Sequence, residues 1–153
     1  MRPQLGALLL FTLLAFVTAL TAAQFRPGDW YAALAKPPWT PPNWAFAPVW
    51  TLLYAGIAVA GWLAWRAVRR PTIALALWLA QLFLNATWSW LFFGLHEPGI
   101  AFLEILLLLF VLGAFMSSVA GTSRAAAWLF APYLAWVAFA AALNFALWRL
   151  NPS

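Results

Sequence analysis

Residues 99–120 read GIAFLEILLLLFVLGAFMSSVA, a run with one charged side chain, Glu104. As a helix rising about 1.5 Å per residue it is roughly 33 Å long, close to the thickness of a bilayer's hydrocarbon core. It is apolar nearly all round, where a helix on a water-soluble domain would keep a polar face. Helix is forced there, because a segment in hydrocarbon must bond its own backbone, and barrel strands would alternate in pieces of about ten residues. Outward from this run, four more of similar length occur. Leu5 to Ala23 is closed by Arg26-Pro27-Gly28-Asp29, and Trp44 to Trp65 by Arg66, Arg69, Arg70 and Pro71. Thr72 to Gly94 ends at His96-Glu97-Pro98, and Ala125 to Trp148 ends at Arg149. The expectation is an all-α membrane protein, one domain over 1–153 built as a bundle of five transmembrane helices. The helices are placed at 5–24, 44–66, 72–94, 99–120 and 125–149, with a proline-rich loop over 25–43.

Composition agrees. Of 153 residues 67% are hydrophobic and 7% charged, against roughly a quarter charged in soluble domains. A water-soluble chain this short could not bury so much apolar surface. The first run is longer than a signal peptide's apolar region and has only Arg2 before it, so it reads as a retained helix. The net charge of +5 comes from basic residues scattered at run ends, where they anchor spans at headgroups; no nucleic-acid partner is expected. With five spans, Arg2, Arg66, Arg69, Arg70 and Arg124 share one side and Arg26, Lys36 and Arg149 the other, which favours the N-terminus inside.

Few residues offer catalytic chemistry. There is no cysteine, so disulfides, thiolate metal sites and thiol nucleophiles are excluded. One histidine, His96, cannot build a metal site, and beside Glu97 it reads as an interfacial turn residue; no metal is expected. No glycine-rich phosphate loop and no nucleophile–base–acid spacing is present. Glu104 is an acid inside a span, either functional or snorkelling to the interface. Small residues recur at helical spacing as Ala15, Ala19, Ala23 and as Gly113, Ser117, Gly121, rows that allow close helix contact or a dimer seam.

Tryptophan is the unusual residue, with twelve in the chain. Trp30, Trp39, Trp44, Trp65 and Trp148 sit near run ends, as an aromatic belt requires. Trp50, Trp78 and Trp136 lie deeper. On the third run Trp78, Gln81, Asn85 and Trp88 share one helical face, and on the fifth Tyr133, Trp136, Ala140 and Asn144 share another. Amides in hydrocarbon either bond between helices or line a cavity for a polar ligand edge. For Gln81 and Asn85 as a pair the two roles weigh equally. The tryptophan on each face favours the cavity for Asn85 and Asn144, and two aromatic faces flanking amides suggest one pocket for a flat, largely apolar ligand. Pro37, Pro38, Pro41 and Pro42 should hold Lys36 to Asn43 as a stiff non-helical strap over the bundle mouth.

Several of these stretches, taken in order, carry a family resemblance. They are Trp30-Tyr31; Lys36-Pro37-Pro38-Trp39-Thr40-Pro41-Pro42-Asn43-Trp44; Pro48-Val49-Trp50-Thr51-Leu52-Leu53-Tyr54; Gln81-Leu82-Phe83-Leu84-Asn85 with Trp88; Phe92-Phe93-Gly94; and Pro132-Tyr133-Leu134-Ala135-Trp136 leading to Leu143-Asn144-Phe145 and Arg149. The set resembles the translocator protein family, the tryptophan-rich sensory proteins of bacteria and the peripheral benzodiazepine receptors of mitochondria. The resemblance implies a five-helix bundle, commonly a homodimer in membrane lipid. It also implies binding of porphyrins such as protoporphyrin IX or a haem-type ring, with benzodiazepine-type ligands in the same pocket and no required cofactor. It carries pocket roles to Trp50, Asn85, Trp88, Trp136, Ala140, Leu143 and Asn144, more weakly to Trp39 and Gln81, and a lid role to the proline-rich loop. A sterol-binding motif is matched by Leu143 and Arg149, with Phe145 where animal members have tyrosine. Ser89-Trp90 stands where those members have prolines, so the third helix is expected to be straighter. Alternatives to sensing are light-dependent porphyrin breakdown, with Trp50 and Trp136 as electron-rich candidates, and lipid or sterol transport. A bacterial inner or outer membrane fits better than the mitochondrial outer membrane.

Overall fold

The computed structural model describes residues 2–67 and 73–152; Arg69, Arg70 and the first residue of the expected third run lie outside them. Helix α1 spans Arg2–Ala22, α2 Asp29–Ala33, α3 Asn43–Ala67, α4 Ile73–Ser89, α5 Pro98–Val119 and α6 Arg124–Leu150. Among the described residues five helices are long and apolar enough to cross a membrane: α1, α3, α4 with the turn that follows it, α5 and α6. The proline-rich loop is not wholly irregular, because Asp29–Ala33 makes the short helix α2. The strap itself is non-helical until α3 begins at Asn43, and Pro48 sits in the second turn of that helix, where a proline removes one backbone amide bond to the preceding turn.

The spans close into a ring. α1 packs on α3 and α4, α3 on α6, α6 on α5, and α5 on α4. One apolar core runs through it, from Phe11 and Ile57 to Trp78, Leu112, Phe115, Phe130 and Tyr133. Leu5, Leu9, Leu13 and Leu20 of α1, and Leu103, Leu107 and Phe110 of α5, point outward as a lipid-facing surface should. The two rows of small residues divide. Ala15 is buried in the bundle, while Gly113 and Gly121 have no neighbouring atoms over them and face outward.

The third span departs from expectation at its end. After Ser89 the chain continues as a π-helical turn, Trp90–Gly94, with Leu95 N–H donating to Trp90 O at 2.8 Å. The wider turn inserts an extra residue without breaking the helix, so the absence of proline does not leave a plain α-helix here. Phe92 and Phe93 leave this turn on the inner side of the span. His96 then carries φ of +58°, a left-handed conformation uncommon outside glycine, and α5 starts with Pro98 at its head.

Candidate functional site

Between α3, α4 and α6, under the loop that carries α2, lies an apolar cavity of about 30 Å³. Its wall comes from Tyr31 of α2, Phe46 of α3, Trp88 of α4, Phe92 and Phe93 of the π turn, and Trp136, Phe139, Ala140, Leu143, Asn144 and Leu147 of α6. The six α6 positions fall on one face of that helix. Trp88 stacks on Phe92 at 5.1 Å and 19°, and Phe46 meets Trp136 edge-on at 6.0 Å. Trp136 also leans on Phe139 at 5.6 Å.

Five of the expected site residues meet at this wall: Trp88, Trp136, Ala140, Leu143 and Asn144. The Asn144 amide has a protein partner at each end. Its Oδ1 accepts from Trp88 Nε1 at 3.0 Å and its Nδ2 donates to Pro98 O at 2.8 Å. One amide thus ties α4, α5 and α6 together and fixes the indole plane of Trp88. Asn85 does not reach the wall. It is buried, with Oδ1 accepting from Tyr54 Oη and Nδ2 donating to Tyr133 Oη at 2.9 Å, a link joining α3, α4 and α6. In this structure Asn85 bonds between helices, with a tyrosine hydroxyl at each end of its amide. Gln81 is fully buried as well; its Nε2 donates to Trp78 O at 2.9 Å and its Oε1 has no partner.

Trp50 is half-buried behind the wall, packed on Tyr54 at 5.6 Å and Tyr133 at 6.1 Å. Trp39 lies outside it, about half exposed and touching the wall only through Phe139 at 5.8 Å. Of the sterol-motif positions, Leu143 turns into the cavity. Phe145 turns outward to pack on Phe102 at 5.1 Å, and Arg149 is exposed. Glu104 has both carboxyl oxygens shielded with no hydrogen-bond partner. Among the described residues no three His, Cys, Asp or Glu gather where they could hold a metal.

The wall also includes residues that sequence reasoning left out of the site: Tyr31, Phe46, Phe92, Phe93, Phe139 and Leu147. A partial signal existed for Tyr31, Phe92 and Phe93, which stand in the motif stretches. Phe46 could have been found one turn before Trp50, and Phe139 three residues after Trp136.

The roof is built by α2, and the strap leads from it to α3. Tyr31 is buried, and burial pushes its hydroxyl above the ordinary phenol range, so it stays neutral. Trp30 stacks on His96 at 4.3 Å and 13° and meets Phe92 edge-on at 5.7 Å. Lys36 Nζ donates to Ala32 O at 3.0 Å and Leu34 O at 3.1 Å, closing the C-terminal end of α2, and lies 4.8 Å from the centre of the Tyr31 ring. In the strap, Thr40 bonds back to Pro37 O through its amide at 3.1 Å and its hydroxyl at 2.8 Å.

A ring of five spans with an aromatic cavity under α2 invites comparison with known proteins, and one family covers nearly the whole chain. The TspO/MBR family matches residues 6–149. The chain belongs to that family. It is 38% identical over 148 residues to the sheep (Ovis aries) translocator protein, covering 92% of this chain and 88% of the relative. It is 40% identical over 132 residues to the tryptophan-rich protein TspO of Chlorobaculum tepidum, covering 83% of each. A third relative, protein CrtK of Rhodobacter capsulatus, is 37% identical over 142 residues, with 86% of this chain and 84% of the relative covered. The chain is therefore an integral, multi-pass membrane protein of the TspO/MBR family.

Within this family member the two asparagines make separable claims. Asn85→Ala removes the partner of two tyrosine hydroxyls, and should destabilise the bundle by about 1 kcal/mol, since the unfolded chain in a membrane also finds partners. Ligand affinity per folded molecule should stay unchanged. Asn144→Ala should lower both, because it frees the Trp88 indole in the wall. SDS-titration unfolding paired with ligand titration checks the two together.

Proposed function

We propose that this TspO/MBR-family protein binds a flat, largely apolar ring system of the tetrapyrrole class within the bundle, and accepts benzodiazepine-type ligands at the same place. The observation that carries the reading is the wall itself: two indoles and five phenylalanine and tyrosine rings, from α2, α3, α4, the π turn and α6, directed at one space. Aromatic faces recognise flat rings by offset and edge-on packing, worth about 0.5–1.5 kcal/mol per pair beyond simple burial. With the Asn144 amide satisfied internally, the wall selects by shape rather than by hydrogen bonding. The cavity, about 30 Å³, is far below the roughly 300–1,000 Å³ of sites for drug-sized ligands. Binding a macrocycle therefore requires the roof to lift and the rings to part.

The test is a titration of the purified protein with protoporphyrin IX, followed by tryptophan quenching. Saturable binding is the expected result. Trp136→Phe should weaken it about tenfold, since the smaller ring leaves the wall and loses indole contact. Trp50→Phe should leave affinity close to the parent value, because Trp50 stands behind the wall. Equal loss in both variants would move the site toward Trp50 and Tyr133. A second reading, light-dependent porphyrin breakdown, is favoured by the packing of Trp50 between Tyr54 and Tyr133, a cluster of oxidisable rings beside the cavity. Porphyrin loss under illumination that disappears in Trp50→Phe while binding persists would select it.

A further inference from the structure

The side chain of Asn151, just past the end of α6, bonds both polar atoms of one distant residue. Its Oδ1 accepts from Ala35 N–H at 2.8 Å, and its Nδ2 donates to Ala35 O at 3.0 Å. The same Nδ2 donates to Leu147 O at 2.8 Å, which orients the amide from a residue of the cavity wall. We propose that Asn151 is a positioning residue, the catch that holds the roof of the cavity closed; as a statement about ligand entry this rests on the binding reading above.

The argument comes from where the roof can bend. Four prolines and the double bond from Thr40 to Pro37 O make residues 37–42 a stiff unit. A stiff unit moves as a body, so its freedom lies at its two ends. One end runs directly into α3, with Ala45 N–H donating to Pro42 O at 2.9 Å. Before the other end, α2 is anchored by the Trp30–His96 stack and the buried Tyr31. Between that anchor and the strap stands Ala35, whose backbone is held by Asn151 across 116 residues of chain. Across the strap's own surface the aromatic contact is the edge of Trp39 on Phe139, a weak and exposed one. Lifting the strap away from Phe139 therefore works against the Asn151 pair, and that pair should govern the rate.

The chain has no cysteine, so Ala140→Cys places a single thiol on the cavity wall, next to the Phe139 that Trp39 of the strap touches. Its labelling rate by a small thiol reagent in detergent, without ligand, measures opening. Adding Asn151→Ala should raise that rate about tenfold, the scale of losing one to two net hydrogen bonds. Asn151→Asp, which keeps the acceptor for Ala35 N–H but loses the donors, should fall between, and it carries the test if the alanine variant does not fold. Unchanged labelling in the folded variants overturns the proposal. In stopped-flow binding of protoporphyrin IX, Asn151→Ala should speed association and dissociation together, leaving Kd nearly constant. A faster dissociation alone would make Asn151 a ligand contact, and would also overturn it. If labelling accelerates while the parent protein binds no porphyrin, the catch stands and the porphyrin reading falls.

Discussion

In an Ala140→Phe variant, protoporphyrin IX should bind about a hundredfold more weakly than in the parent, a difference of roughly 2.7 kcal/mol. Ala140 is the smallest side chain on the wall, lying on the inner face of α6 between Trp136 and Asn144. A benzyl group at that position fills the present cavity and stands in the path of any ring entering between α3 and α6. The cavity of about 30 Å³ is smaller than the added ring, so overpacking should cost the fold about 1–3 kcal/mol. Far-UV circular dichroism should stay near the parent spectrum while tryptophan quenching is lost. Retained affinity would place the ligand elsewhere, with the outward surface around Phe145 and Arg149 the next place to look.

The second large effect is structural. Gly61→Ala should destabilise the bundle by about 2–4 kcal/mol, combining overpacking with a lost hydrogen bond. A methyl group there would lie 2.4 Å from Trp78 Cε2, 2.5 Å from its Nε1 and 2.8 Å from Phe11 Cδ1. Trp78 cannot retreat, since it is wholly buried and its Nε1 donates to Ile57 O at 2.9 Å. Gly61 is the opening through which the Trp78 indole reaches a carbonyl one turn earlier on α3. Phe11 closes on the same indole edge-on at 4.8 Å, so α1, α3 and α4 all meet at this point. The SDS-titration midpoint checks the prediction; a midpoint equal to the parent's would mean that the three helices can separate by the needed distance at little cost.

The five spans are legible in the sequence because lipid as solvent leaves few choices: runs such as 99–120 have the length and apolarity of one crossing and nothing else. The inward faces are legible for the same reason that Gln81, Asn85 and Asn144 stand out, as amides that hydrocarbon would not tolerate facing lipid. What an amide faces is another matter. Spacing puts Asn85 on the inner side of α4, yet only the ring order of the helices brings Tyr54 and Tyr133 to its two ends. Half the wall was hidden by abundance. In a chain that is 18% aromatic, Phe46 and Phe139 look no different from belt residues, and only their placement on facing helices distinguishes them. The π turn at Trp90–Gly94 has no glycine or proline inside its start to announce it, and it is what brings Phe92 and Phe93 round to the cavity.

The closed ring has a consequence for the order in which the molecule can be made. The last span seats beside the second, and the first beside the third, so two of the ring's seams join spans that are not made in succession. Tyr31 and Phe46 leave the ribosome early, and Trp136 through Leu147 arrive at the end. For most of synthesis the early aromatic residues face lipid or the insertion machinery, and no intermediate with four spans contains the opposing wall. Long-range closure of this kind is slow and exposes half-built surfaces. On the binding reading proposed above, occupancy by a ring-shaped ligand reports a finished chain, and a nascent one stalled after its fourth crossing has no place to hold it.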